Sequence, residues 1–407
     1  MGNWYIYDNQ VTDTYGFDIS WLPTEAYRYV TPHVNRAVVN VGSVSLEAGP
    51  YVGALPLKNG DTLYIIPRVG RESYSRMLFV VEGLEDAVRT EFEQFVKLGY
   101  DESGSTPWSI LLARPFIRRL RLIEKESLTT ERVPALRQLR HIKGKVKIAD
   151  SLISLARKEK NPIRTFLRER TVLSLENRLL STASAILLRM RIVGEAQREV
   201  VSRWAELGRG RFITPYELGK ISAGLKSHRY TGSRSYYVPA LIMAKLIISQ
   251  AGLNLDSSKG VQGEALLTNI ADLFERYVRV LISKLLSPKG YLVEKKESHS
   301  PTLFVDGTCE LKPDIVISQQ GAARLVADAK YKPRSTVDAS DYYQMRVYLD
   351  VFGVDVGLLI LPNSSRSGHD LVKRETVEGR KIFELRLPLG DWNKSEEALA
   401  ENVSRLV

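Results

Sequence analysis

The chain has 407 residues, 44% of them hydrophobic, a formal net charge of +11 and one cysteine, Cys309. That length leaves room for two or three domains with sizeable cores, and a lone cysteine excludes an intramolecular disulfide framework and any cysteine-rich zinc site. The most apolar stretch, ALIMAKLII (240–248), is too short to span a bilayer and contains Lys245, so no membrane partner is expected. The opening MGNWYIYDNQ lacks the pattern of a signal peptide, and a reducing, cytoplasmic setting is expected.

The charge is unevenly spread: residues 1–100 carry net −4, residues 101–240 net +15 and residues 241–407 net 0. A basic middle of this kind suggests a polyanionic partner, nucleic acid above all. In chain order, YVGALPL (51–57) and DTLYIIPRV (61–69) flank Lys58-Asn59-Gly60, a hairpin signal, and VNVGSVSLEAG predicts a further strand and turn. Residues 1–83 therefore read as a small β-rich domain. From 84 to 257 the pattern predicts a mainly helical, basic region. Its helices are LEDAVRTEFEQFVKLG (84–99), TVLSLENRLLSTASAILLRMRIV (171–193) and YYVPALIMAKLIISQ (236–250). The Gly/Ser/Asn/Asp-rich AGLNLDSSKGVQG (251–263) marks a boundary.

Residues 258–407 read as a mixed α/β domain, which makes the whole chain a multidomain α+β protein. The amphipathic EALLTNIADLFERYVRVLISKLL (264–286) predicts a helix. YLVEKKES, TLFVDGT, LKPDIVIS and RLVADAKYK predict strands, DYYQMRVYLDVFG a helix, and DVGLLILP and KIFELRLP further strands.

Within this domain charge sits where buried sheet is predicted. Strand alternation puts Asp328 and Lys330 on one face, with Ala327 and Ala329 on the other. Asp314 lies on the preceding run, and a QQGA turn between the two runs would bring all three together. Two close carboxylates repel unless a cation joins them. Magnesium takes such oxygen ligands together with water and phosphate. A bare D-x-K is more often a plain ion pair at a strand end. Pro-Asp, an apolar strand, a turn and a strand ending in D-A-K is a narrower pattern.

That pattern resembles the PD-(D/E)xK nuclease motif. The resemblance implies a restriction-endonuclease-like domain, Mg2+ or Mn2+ as cofactor, and Asp314, Asp328 and the carbonyl of Ala329 as metal ligands. It implies Lys330 as the residue that handles the nucleophile. Glu275, in LFERYV, matches the helix glutamate such nucleases bring to the metal. Gln344 and Tyr348, four apart on one helix face, match the Q-x-x-x-Y element that follows the lysine in RecB-like nucleases.

FERYV, LKPDIVI, VADAKYK and QMRVY together resemble the McrC family, the nuclease subunits of McrBC-type modification-dependent restriction systems. GDTLYIIPRVG (60–70), RHIKGKVKI (140–148) and LSLENRLL (173–180) resemble further elements of that family in the expected order, with Arg68 where a lysine is usual. The resemblance implies DNA as substrate and an McrB-like AAA+ GTPase ring as partner; two cuts on a duplex need two active sites, so dimerisation of the nuclease domain or of whole assemblies is expected. The chain has no P-loop of its own; Gly144-Lys145 is followed by Val146. Two other readings remain open: a stand-alone RecB-like nuclease or resolvase, and a non-catalytic adaptor that regulates an AAA+ ring.

Overall fold

Apolar alternation in the first seventy residues builds two small sheets around one core. The strands are β1 (Asn3–Tyr7), β2 (Val11–Tyr15), β3 (Val30–His33), β4 (Ser43–Ala48), β5 (Tyr51–Pro56) and β6 (Thr62–Ile66), followed by helix α1 (Arg71–Glu82). They belong to a computed structural model that describes residues 3–33, 43–82, 108–190, 193–227, 230, 232–250, 266–295, 301–332, 336–363, 370–389 and 391–407. β4 pairs antiparallel with both β2 and β3, while β6 lies between a parallel β1 and an antiparallel β5. The expected hairpin is β5–β6, with Gly60 at φ 90° in its turn. Ile6, Leu46, Leu55, Leu63 and Ile65 are all buried in the shared core. Trp4 packs edge-on against Phe17, with ring centroids 5.2 Å apart.

The middle of the chain contains α2 (Trp108–Glu126), β7 (Glu131–Leu139), β8 (Lys145–Val146), α3 (Ile148–Ala156), β9 (Ile163–Thr171), α4 (Leu175–Arg189), α5 (Glu195–Leu207), α6 (Pro215–Lys226) and α7 (Val238–Gln250). The helix expected over 171–193 is α4, shortened at its start because the Ser174 hydroxyl caps the Asn177 N–H at 3.3 Å. The one expected over 236–250 is α7. The helix expected over 84–99 and the boundary segment 251–263 lie outside the described residues.

The region expected to be mainly helical also holds an antiparallel sheet of β7, β9 and β8, which the sequence pattern does not announce. β9 does alternate, but its outward residues are Phe166, Arg168 and Arg170, so charge rather than apolar spacing carries the period. Gly144 has φ 81°, and a Cβ there would meet the Phe166 carbonyl at 2.4 Å, so the turn into β8 requires glycine. The E-N-R stretch of α4 is a structural clamp. Buried Asn177 donates to the carbonyls of Thr129 (2.9 Å) and Val172 (2.7 Å) and accepts from the Tyr237 hydroxyl (2.7 Å). Arg178 grips both Glu217 oxygens at 2.7 and 2.8 Å.

The last third contains β10 (Leu266–Asn269), α8 (Ile270–Leu286), β11 (Leu292–Glu294), β12 (Ile315–Gln319), β13 (Ala322–Ala329), α9 (Ala339–Phe352), β14 (Val356–Asn363), β15 (Asp370–Glu375), β16 (Lys381–Pro388) and α10 (Trp392–Leu406). The helix expected from 264 begins only at Ile270. Asn269 caps it by accepting the N–H groups of Ala271 and Asp272, and β10 pairs with β5, Leu266 opposite Ala54 and Asn269 opposite Tyr51. TLFVDGT is not a strand; a single bridge joins Thr302 to Glu310 across a turn at Asp306. The six-stranded sheet has the order β11-β12-β13-β14-β16-β15, with β13, β14 and β16 parallel and the rest antiparallel. α9 covers one face, packing Met345, Tyr348 and Leu349 over Val326, Leu359, Leu361 and Ile382.

The fold is therefore mixed α/β with several sheets. It divides into two compact units, Met1–Leu111 with Glu264–Val407, and Leu112–Gly263. No described helix is long and apolar enough to cross a membrane.

Candidate active site

The charged residues gather where β12 begins and β13 ends. Gln320 and Gly321 both have positive φ, 52° and 82°, the two-residue turn whose twist suits a tight hairpin. That turn pairs Gln319 with Ala322 and Ser318 with Ala323; a bulge between Ile317 and Ser318 then shifts the register by one, so that Ile315 faces Ala327 and continuing one residue puts Asp314 across from Asp328. The Asp314 carboxylate accepts the Ala329 N–H at 2.9 Å. Asp328 is 3% exposed, and the Lys330 ammonium contacts its Oδ2. The Lys330 N–H donates to Ile360 on β14 at 2.8 Å, and its Nζ donates to Gln344 Oε1 on α9 at 3.0 Å. Tyr348, one turn further along α9, is buried.

Glu275 approaches from α8 with two cations attached. Its Oε1 accepts Lys295 Nζ at 2.6 Å and Arg279 Nη1 at 2.9 Å. Arg279 also reaches the Asp314 carbonyl at 3.3 Å, which links α8 to the start of β12. Three acids thus meet three bases in a partly buried space.

The acids strain one another. Burial, then the charges of Asp328 and Glu275, push the Asp314 carboxyl up to about 8, against the pull of the Ala329 N–H. Burial and the charges of Asp328 and Asp314 also raise the Tyr348 hydroxyl well above its ordinary value. Burial pulls the Lys295 ammonium down, but its bond to Glu275 and the nearby Asp314 charge outweigh this and raise it.

This donor set fits a hard divalent cation. Beyond burial, Asp314 and Asp328 crowd each other enough to push Asp314 up even with Lys330 in contact with Asp328, and a cation between the two carboxylates would relieve them. Among the described residues no group of three or more His, Cys, Asp or Glu is arranged to hold a metal. An ion here would rest on Asp314 and Asp328 and complete its shell with water and substrate oxygens, which is magnesium's usual manner.

Of the expected site residues, Asp314, Asp328, Ala329, Lys330, Gln344 and Tyr348 lie around the hairpin end, whereas Glu275, expected at the metal, is within electrostatic reach of Asp314 but has its Oε1 held by Lys295 and Arg279. Lys295 and Arg279 were not foreseen. Their one signal was Lys295 at the polar end of the apolar run YLVE, a pattern too common to single out.

One solved structure similar over the full length of both chains is described as a half-complex from a tetradecameric assembly of Thermococcus gammatolerans McrB AAA+ hexamers with bound McrC. It is 15% identical with a TM-score of 0.61, so the two chains share a fold. A second, the cryo-EM structure of the Thermococcus gammatolerans McrBC complex, is 16% identical with a TM-score of 0.44, covering 70% of this chain and 88% of that one. No curated protein matches. The family model described as McrBC 5-methylcytosine restriction system component matches residues 46–362, from the end of β4 to the end of β14, and with the whole of the Asp314–Asp328–Lys330 hairpin inside that match the chain belongs to the McrBC family.

Proposed function

We propose that this chain is the nuclease subunit of an McrBC-type restriction system, a divalent-metal-dependent DNA endonuclease with a PD-(D/E)xK fold. The observation that carries this is the convergence of Asp314, Asp328 and Lys330 at one end of the β12–β13 hairpin, with Gln344 and Glu275 supplied by flanking helices. Asp314, Asp328 and the Ala329 carbonyl would hold the ion. A bound Mg2+ or Mn2+ supplies an acidified water and polarises the phosphate. Lys330, held between Asp328 and Gln344, orients the attacking water and sets positive charge beside the developing negative charge. Gln344 fixes the Lys330 rotamer. Glu275 keeps Lys295 and Arg279 at the rim, where cations favour a phosphodiester backbone.

The same reading gives the chain an AAA+ GTPase ring as partner, which it stimulates. Family membership and the fold shared with a chain from an McrB–McrC assembly support this. The antiparallel β7–β9 pair and α3 offer a surface for it. Ile148, Leu152, Ile153 and Leu155 are all exposed on one short helix, beside the basic strands. Cutting both strands of a duplex takes two such sites, which favours dimerisation through the nuclease domain.

The test is cleavage of DNA by purified chain with its AAA+ partner, GTP and Mg2+. Asp314→Ala and Lys330→Ala should each abolish cutting while leaving the fold and partner binding intact. Retained cutting by either variant refutes the assignment.

A further inference from the structure

The site is braced by a buried cluster from the N-terminal sheet, which the mechanism above does not use. Asp8 follows β1 and its side chain is fully buried. Its own N–H donates to Ile66 at 3.1 Å, and its Oδ1 accepts the backbone N–H of Arg68 at 2.5 Å. Asp8 thus ties the ends of β1 and β6 together. The Arg68 guanidinium then reaches outward from that knot. Its Nε lies 3.6 Å from Asp8 Oδ2, and its Nη2 donates to the Lys332 carbonyl at 3.3 Å. Its Cζ sits 5.7 Å from the centre of the Tyr331 ring.

Tyr331 also lies against Phe274 of α8, with ring centroids 6.0 Å apart. Tyr331 is the residue after Lys330, and Phe274 is the residue before Glu275. One cluster, Asp8–Arg68–Tyr331–Phe274, therefore touches the immediate neighbours of two site residues on two different elements. On its other side the Lys330 N–H donates to the Ile360 carbonyl. The Lys332 side chain is held on the α9 side by Asp338 and Asp341, and Arg68 adds a hold on the 331–332 backbone and the Tyr331 ring from the N-terminal sheet.

We infer that Arg68 is a positioning residue for the nuclease site: oriented by buried Asp8, it grips Tyr331 and Lys332 and so fixes where Lys330 and Glu275 stand. The inference rests on the nuclease reading for its consequence in catalysis, but not for the brace itself. A displacement of about 1 Å at such a site costs on the order of a hundredfold in rate.

The experiment compares wild type, Arg68→Leu and Arg68→Lys by amide hydrogen exchange on the full chain and by single-turnover cleavage with the AAA+ partner. In Arg68→Leu, amides over 327–332 and 270–276 should exchange about tenfold faster or more, while those of β16 stay unchanged. Its cleavage rate at saturating DNA should fall roughly 10–100-fold with little change in KM. Arg68→Lys keeps a cation that can reach the Lys332 carbonyl and should restore both readouts to within about threefold. Unchanged exchange over 327–332 in Arg68→Leu overturns the inference, as does a rate loss that Arg68→Lys does not rescue. Should Arg68→Leu fail to fold, Asp8→Asn keeps an acceptor for the Arg68 N–H but removes the orienting charge, and the same two readouts decide. Exchange behaving as expected in a chain that never cuts, with Asp328→Asn indistinguishable from wild type, upholds the brace and refutes the nuclease reading instead.

Discussion

The Ala329 N–H donates to the Asp314 carboxylate at 2.9 Å, so this acid is both a charge and a tie between β12 and β13. A residue with two such duties gives two separable effects when it is changed. Replacing it removes a charge from a crowded site and also loosens the hairpin that brings the site together.

The charge effect has a definite sign. The Asp314 carboxyl is pushed up to about 8 from an ordinary 3.8, so the folded chain without a cation prefers it protonated. The unfolded chain loses that proton near pH 4, whereas the folded one keeps it to about pH 8. Stability in the absence of divalent ions should therefore be greatest at or below pH 4 as far as this group goes, and decline as pH rises towards 8. Thermal unfolding between pH 5 and pH 9 measures it. Mg2+ should raise the transition temperature more at pH 8 than at pH 5, and Asp314→Asn should flatten the decline. An Asn variant with the wild-type slope would count against the crowded pair as its source.

Lys330 and Gln344 should separate in magnitude. On the proposed mechanism Lys330→Ala removes the cation beside the reacting phosphate and should cost on the order of 10²–10³ in cleavage rate or more. Gln344→Ala removes only the bond at 3.0 Å that fixes the lysine, and should cost roughly tenfold, below the 10²–10³ lost for a direct stabiliser. Single-turnover rates at saturating DNA would show it. Equal losses would mean that Gln344 itself acts on substrate.

Lys295→Met should tighten divalent-cation binding. The substitution removes one positive charge from the neighbourhood of Asp314 and leaves Glu275 with Arg279 alone. A partly screened charge at this range is worth about 1 kcal/mol, several-fold in affinity. Calorimetric titration with Mn2+ reads it directly, and an unchanged or weaker affinity would place Lys295 outside the ion's field.

Leu152→Asp and Leu155→Asp should uncouple the partner. Both side chains are more than half exposed on α3, so neither change should move the unfolding temperature by more than about a degree or two, as for ordinary surface substitutions. Each should reduce stimulation of the ring's GTP hydrolysis by a purified AAA+ partner. Full stimulation by both variants would show that this apolar patch is not the contact.

What could be read beforehand was local. Asp328 and Lys330 lie two apart at a strand end, Gln344 and Tyr348 one helical turn apart, and Gln320-Gly321 makes a tight turn; each needs only a few neighbouring residues to be recognised, whereas the bulge between Ile317 and Ser318 that brings Asp314 opposite Asp328 leaves no such local mark. Lys295 and Arg279 belong to the same site, yet nothing nearby in the chain distinguishes them from other basic residues, because what selects them is Glu275 across a gap in sequence. Leu266 and Leu267 fit the spacing of the helix that follows, so the pairing with Val52–Ala54 that makes them a strand could not be inferred from their own surroundings. β7 and β9 escaped notice for a different reason: they stabilise each other through charged pairs such as Arg137 with Glu169, at 2.6 Å, rather than through an apolar stripe.

The pairing of β10 with β5 has a consequence for biosynthesis. β5 leaves the ribosome more than two hundred residues before Asn269, and until then one of its edges has no native partner. The intervening unit can close on itself during that interval, but the N-terminal sheet waits with unpaired N–H and C=O groups on show. A nascent chain stalled before residue 266 should thus be unusually prone to aggregate, and release of the last third is what seals the first.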